Sequence, residues 1–158
     1  MIQWNFVFIT FLILFLASAA VRWCLARLNI EHLKKHGHSV PDEFRGEIDE
    51  ETISRMTQYT VASSAFASLE SLFDDAVLLL VLFAGVFPWL AGVAAAWNPQ
   101  PIWAGLFFFM LLYLAGVILD VPFNLYSTFV IEKKFGFSTM TPRLWITDLL
   151  KSLILSVI

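Results

Sequence analysis

Charged residues are absent from two long stretches of this chain and crowded into the segments between them. No Asp, Glu, Lys or Arg occurs in residues 1–21, and none in residues 76–119. A helix that crosses hydrocarbon needs about 20 consecutive apolar residues, so the first stretch predicts a span over residues 4–21. The second has room for two crossings and is interrupted by Asn98-Pro99-Gln100-Pro101. Each proline there removes a backbone donor and biases its predecessor away from helix. The pattern predicts a helical hairpin, residues 76–96 and 102–119, joined by a tight polar turn. A fourth apolar run begins near residue 144 and is still apolar at Ile158. Its last part is about half a span. A chain ending there leaves terminal carbonyls and a carboxylate in hydrocarbon, which predicts a continuation beyond residue 158.

Composition agrees with the pattern. The chain is 59% hydrophobic, 16% aromatic and 15% charged, with a mean hydropathy of +0.76. Soluble domains are about 45–50% apolar and about 25% charged, and disordered chains combine low hydrophobicity with high net charge. The expected fold is an all-α integral membrane protein, a multi-span helical bundle whose long helices extend into the cytoplasm. A net charge of −3 gives no electrostatic case for nucleic-acid binding. One cysteine, Cys24, excludes an internal disulfide and a cysteine-rich zinc site.

The basic residues orient the spans. Arg22, Arg27, Lys34, Lys35, Arg45 and Arg55 follow the first span, and Lys133, Lys134 and Arg143 follow the third; the N-terminal flank and the hairpin turn carry none. The positive-inside rule predicts an external N-terminus, an external hairpin turn and cytoplasmic segments at residues 22–69 and 122–143. Trp4, Trp23, Trp97, Trp103 and Trp145 stand near predicted span ends, where interfacial aromatic belts form. Ala17-Ser18-Ala19 looks like a cleavage site, but no basic region precedes the apolar run, so a retained span is expected rather than a signal peptide.

Within the first cytoplasmic segment, Pro41-Asp42-Glu43-Phe44 breaks the chain and Asp49 is placed as the N-cap of a long helix. That helix carries a small-residue face (Thr60, Ser63, Ser64, Ala67, Ser68, Ser71) and enters the membrane as span two. Glu70, Asp74, Asp75 and, at the end of span three, Asp120 have two open readings: solvated helix-end charges, or acids facing a hydrated cavity shared with other helices. Asp148 and Lys151 are spaced to pair with each other. His32 and His36 can share a helix face, but Gly37 separates them from His38, and zinc usually takes three or four protein ligands; metal-free histidines are expected. Phe129-Val130-Ile131 is β-prone, and Phe135-Gly136-Phe137 interrupts any helix. The chain contains no phosphate-cradling glycine loop and no Ser-x-x-Lys or G-x-S-x-G nucleophile.

The stretch from Pro122 to Phe137 reads P-F-x-x-Y-x-x-F-x-x-E-x-x-F-G-F and is followed by Thr141, Asp148 and Lys151. It resembles the N-terminal membrane region of the type 1 CAAX prenyl proteases, integral-membrane zinc metalloendopeptidases. Ser138 stands where that family's pattern has Asn. His32-Leu33-Lys34-Lys35-His36, Val40-Pro41, Phe44 and Tyr59-Thr60 are similar to bacterial members, which implies a bacterial inner membrane. The resemblance implies a larger enzyme whose helices surround a hydrated chamber. Its cytoplasm-side zinc site uses H-E-x-x-H and a downstream Glu, lying beyond residue 158. No catalytic or metal-binding residue is then expected in this chain. Zinc would belong to the full-length protein, the substrate would be a peptide or prenylated protein, and the partners would be the lipid bilayer and the C-terminal protease part. Tyr126, Glu132, Lys133, Phe135, Gly136, Phe137 and Thr141 are candidates for packing against that protease core; otherwise they anchor an interfacial loop. The competing reading is a stand-alone multi-pass membrane scaffold without catalysis. A transporter subunit is disfavoured by the absence of charge within the spans.

Overall fold

The computed structural model describes residues 5–37, 49–98 and 100–156. Trp4, His38, Val40-Pro41, the break at Pro41–Phe44, Arg45 and Pro99 lie outside the described residues. The first helix, α1, is Phe6–His36, 31 residues or about 46 Å at 1.5 Å per residue. That exceeds the ~30 Å hydrocarbon thickness, so one end must stand clear of it. Asn5 caps the start, its side chain accepting from the Phe8 amide at 2.9 Å. Lys34, Lys35 and His36 occupy the last turn, opposite the negative end of the helix dipole.

The second helix, α2, is Glu50–Phe83, with Asp49 at its N-cap position and Glu50 and Glu51 in the first turn. It runs antiparallel to α1. The Phe8 and Phe83 rings meet edge to face at 5.9 Å at one end, and the Thr57 hydroxyl donates to the Gly37 carbonyl at the other. Between these points the two helices face each other through Ala19 and Ala26 on one side and Ser64, Ala67, Ser68 and Ser71 on the other. Small residues let membrane helices approach closely, where dispersion contacts replace the absent hydrophobic drive.

Residues 76–96 are not one straight helix. The chain turns at Ala84–Gly85, where Gly85 takes φ 71°, and α3, Val86–Trp97, leaves α2 at 66°. Left-handed backbone is cheap only for glycine, and its single conformational step redirects the helix. α3 returns along the start of α4, Pro101–Tyr126, burying Leu90 and Ala94 and stacking Trp97 on Phe107 at 4.6 Å. In the turn between them, the Gln100 amide donates to Asn98 Oδ1 at 2.9 Å, and Pro101 takes the first helical position, where its missing donor costs nothing.

The helix containing residues 102–119 does not stop before Pro122. It passes through that proline and widens into a π-helical turn, Ser127–Glu132. The β-prone Phe129-Val130-Ile131 therefore continues a helix instead of forming extended chain. Tertiary packing overrides propensity here, because Ile131 is buried against the bundle. The helix ends at Gly136, φ 78°. The Phe137 amide donates to the Glu132 carbonyl at 2.9 Å and the Gly136 amide to the Lys133 carbonyl at 3.2 Å, the paired bonds of a Schellman cap. α5, Pro142–Leu155, starts from Thr141, whose hydroxyl accepts from the Leu144 amide at 3.3 Å.

Among the described residues α1 and α4 with its π turn are each long and apolar enough to cross a membrane, and the bent α2–α3 pair has the composition of a third. Only Leu90, Ala94, Ile131 and Thr57 are buried among them. The fold is an all-α membrane fold with no strand among the described residues.

Candidate functional site

The polar side chains of this bundle fall on three faces. The first lies between α1 and α2. Arg22 Nη2 stands 3.0 Å from both carboxylate oxygens of Asp75, and Nη1 donates to Ser18 Oγ at 2.7 Å. Nearby, the Arg27 guanidinium lies over the Trp23 ring at 5.3 Å and reaches Glu31 at 3.7 Å. Asp75 is thus paired with α1 through Arg22.

The second face joins α2 to α4. Tyr59, Phe66 and Phe73 recur every seven residues along one side of α2. Phe73 meets Phe123 at 4.9 Å, Phe66 stacks on Tyr126 at 4.8 Å, and Tyr59 contacts Phe137 at 4.7 Å and Phe135 at 5.7 Å. Aromatic pairs of this kind contribute about 0.5–1.5 kcal/mol each beyond area burial. Glu70 and Asp74, one turn apart on α2, come close enough to Asp120 of α4 for their like charges to repel. Asp75, next to Asp74 in the chain, feels the same like charge but is paired with Arg22.

The third face is a cleft of about 440 Å³ between α4 and α5. Asp120, Asn124, Thr128 and Glu132 line it at intervals of four residues, through the π turn, and Asp148 and Ser152 face them from α5. Trp145 Nε1 donates to Asn124 Oδ1 at 2.7 Å across the gap. A polar stripe on an apolar helix belongs beside water or other polar groups, not lipid. Sequence reading singled out Asp120 and Glu132 separately and missed the stripe that unites them; the four-residue recurrence is the signal. It likewise missed Arg22 and Tyr59 as partners.

Of the remaining candidates, Tyr126, Phe135 and Phe137 take part in the aromatic seam, Gly136 supplies the left-handed cap, Thr141 caps α5, and Lys133 is exposed. Lys151 Nζ lies 3.5 Å from Asp148, the pair the spacing predicted. Outside the membrane segments, the Thr52 hydroxyl beside Asp49 holds that carboxyl below its usual range. The His32 and His36 rings stack at 4.5 Å, and His38 lies outside the described residues. Among the described residues no three His, Cys, Asp or Glu side chains converge on a common point suited to a metal. The donor set among the described residues does not fit a zinc ion, and no chemical step is assigned through one.

Comparison with known proteins matches this geometry to a family. A family model described as CAAX prenyl protease N-terminal, five membrane helices, matches residues 29–158. CAAX prenyl protease 1 of Saccharomyces cerevisiae is 32% identical over 127 residues, covering 74% of this chain and 28% of that protein. An Arabidopsis thaliana homolog of CAAX prenyl protease 1 is 33% identical over 130 residues, 76% of this chain and 30% of its own length. The crystal structure of S. mikatae Ste24p superposes with a TM-score of 0.79 at 29% identity, covering 90% of this chain and 34% of that one. The chain thus spans about a third or less of the proteins it matches. Across most of its length, in sequence and in fold, it belongs to the CAAX prenyl protease N-terminal family.

Proposed function

We propose that this chain forms part of the wall of a hydrated chamber in a membrane-embedded zinc metalloendopeptidase, with the peptide-cleaving zinc site in a C-terminal part of the same protein. The observation that supports this reading best is the stripe Asp120, Asn124, Thr128, Glu132 facing Asp148 and Ser152 across the α4–α5 cleft. Such a surface stabilises water and polar peptide backbone inside a bundle whose outer faces are apolar. On this reading Asp120 and Glu132 belong to the chamber side, and the Tyr126–Phe137 seam braces that wall against α2. The Lys and Arg distribution supports an external N-terminus and cytoplasmic residues 22–69 and 122–143, in a bacterial inner membrane if the early motif is followed. The substrate class is then a peptide, prenylated where the family's name applies.

Reading the gene past residue 158 and testing the full-length protein decides the matter. The expected result is a downstream H-E-x-x-H helix, with zinc bound to the purified protein. In a Cys24→Ser background, Thr128→Cys should react with a water-soluble maleimide, whereas Phe109→Cys, on an apolar face 68% exposed in this chain, should not react in the bilayer. A stop codon or an unrelated domain instead supports the stand-alone scaffold.

A further inference from the structure

Two pairs of residues on α4 and its continuation sit twelve positions apart, and the members of each pair share a face. Asp120 and Glu132 both line the cleft toward α5. Phe123 and Phe135 both meet α2, Phe123 against Phe66 and Phe73, and Phe135 against Tyr59 at 5.7 Å. An α-helix makes one turn in about 3.6 residues, so twelve residues overshoot three turns by about 120°. Continued as an ordinary α-helix, the chain would bring Ile131 to within about 20° of Asp120 and swing Glu132 past it. The structure has the opposite arrangement. Ile131 is 7% exposed among Ala62, Ala65 and Phe66 of α2, and Glu132 stands in the cleft.

The π turn, Ser127–Glu132, follows the first member of each pair and brings the second into place. Its i→i+5 hydrogen bonds enclose one residue more than α-helical bonds do, so it turns less per residue. Taking one residue out of the count leaves eleven, almost three whole turns, and each pair closes onto its own face. One residue of slack thus accounts for both faces, the polar and the aromatic. Such turns inside α-helices are rare and recur at functional sites. We propose that this turn is a register correction that positions Glu132. It keeps a carboxylate in the α4–α5 cleft in place of Ile131, while Phe135 stays in the aromatic seam. The correction follows from helix geometry and holds whether or not a protease domain follows.

The test uses the full-length protein in nanodiscs, with its native cysteines replaced and a bimane label on Glu132→Cys. A tryptophan in contact with bimane quenches its fluorescence. Trp145 lines the same cleft, so the label should be quenched, and Trp145→Phe should restore its emission. Deleting Ser127 removes the slack. The turn should become ordinary α-helix with both faces in place, so the quenching persists and the thermal unfolding midpoint holds or rises. Deleting Leu119, in the regular part of α4, should lower the midpoint, because that stretch has no residue to spare. Inserting an alanine after Ser127 should lower the midpoint and abolish the quenching. An unquenched label, or emission that Trp145→Phe fails to restore, overturns the proposal. So does a Ser127 deletion that unfolds, loses the quenching or is no more stable than the Leu119 deletion, and so does an inserted alanine that changes neither readout.

Discussion

Arg22 Nη2 meets both carboxylate oxygens of Asp75 at 3.0 Å, roughly midway between the Phe8–Phe83 contact and the Thr57–Gly37 hydrogen bond that close the two ends of the α1–α2 pair. Small side chains line much of the interface between those ends, and the ion pair adds a specific polar contact there to the two that close it.

Breaking that pair should loosen α1 from α2. Arg22→Ala and Asp75→Ala should each lower the unfolding midpoint in detergent, with a double-mutant coupling of about 1 kcal/mol. The figure is modest because half of the Arg22 side chain is exposed. Exchanging the charges, Arg22→Asp with Asp75→Arg, should recover part of the loss. Additive single effects would show that the two side chains do not act together.

Gly136 sits at φ 78° with open space around it, so a substitution there tests backbone conformation without steric clash. Gly136→Ala should destabilise by about 1–2 kcal/mol, and Gly136→Asn by less, since Asn tolerates left-handed backbone. The ring contact between Tyr59 and Phe137, followed by nuclear Overhauser effects, should weaken in the same order. An Ala variant as stable as wild type would exclude the Schellman cap.

The depressed Asp49 carboxyl makes the start of α2 acid-sensitive. A carboxyl with a folded pKa below its unfolded value adds stability above the unfolded pKa and loses it as pH falls through the folded one. Wild type should therefore exceed Asp49→Ala in helix stability at neutral pH, and the difference should shrink as the solution is acidified below the ordinary carboxylate range. Circular dichroism melts of the two proteins at a series of pH values provide the comparison. A difference that is flat with pH assigns the effect to shape alone.

Asn124 and Trp145 tie α4 to α5 by one 2.7 Å hydrogen bond. Asn124→Ala and Trp145→Phe should each cost about 0.5–1.5 kcal/mol, and the double variant no more than the larger single effect. Chemical denaturation of the four proteins tests this; full additivity would show that the bond contributes nothing.

Much of the helical plan was legible in the sequence. Charge-free stretches, the Asn98–Pro101 interruption and the Asp49 cap mark where helices run and start, because hydrocarbon and unsatisfied backbone groups impose rules on every residue. The membrane fold follows from the same patterns, whereas the family rests on the resemblance carried by Pro122–Phe137. What escaped depends on meetings between distant residues. Pro122 signals a stop by its own geometry, yet the helix carries on past it. Phe129–Ile131 has the propensity of strand, yet Ile131 has a buried place on a helix. Asp75 is indistinguishable from Asp74 in sequence, and only the approach of α1 gives it a separate partner.

The elbow at Gly85 has a bearing on the lipid around it. Twelve residues of α3 make a rod about 18 Å long, yet inclined at 66° it adds only about 7 Å of reach in the direction α2 was travelling. An apolar column shortened in this way pulls the two headgroup layers toward each other. With α2 upright in a membrane, the expected consequence beside Trp89 is a thinner bilayer, in which a hydrophilic chain would have less oil to pass.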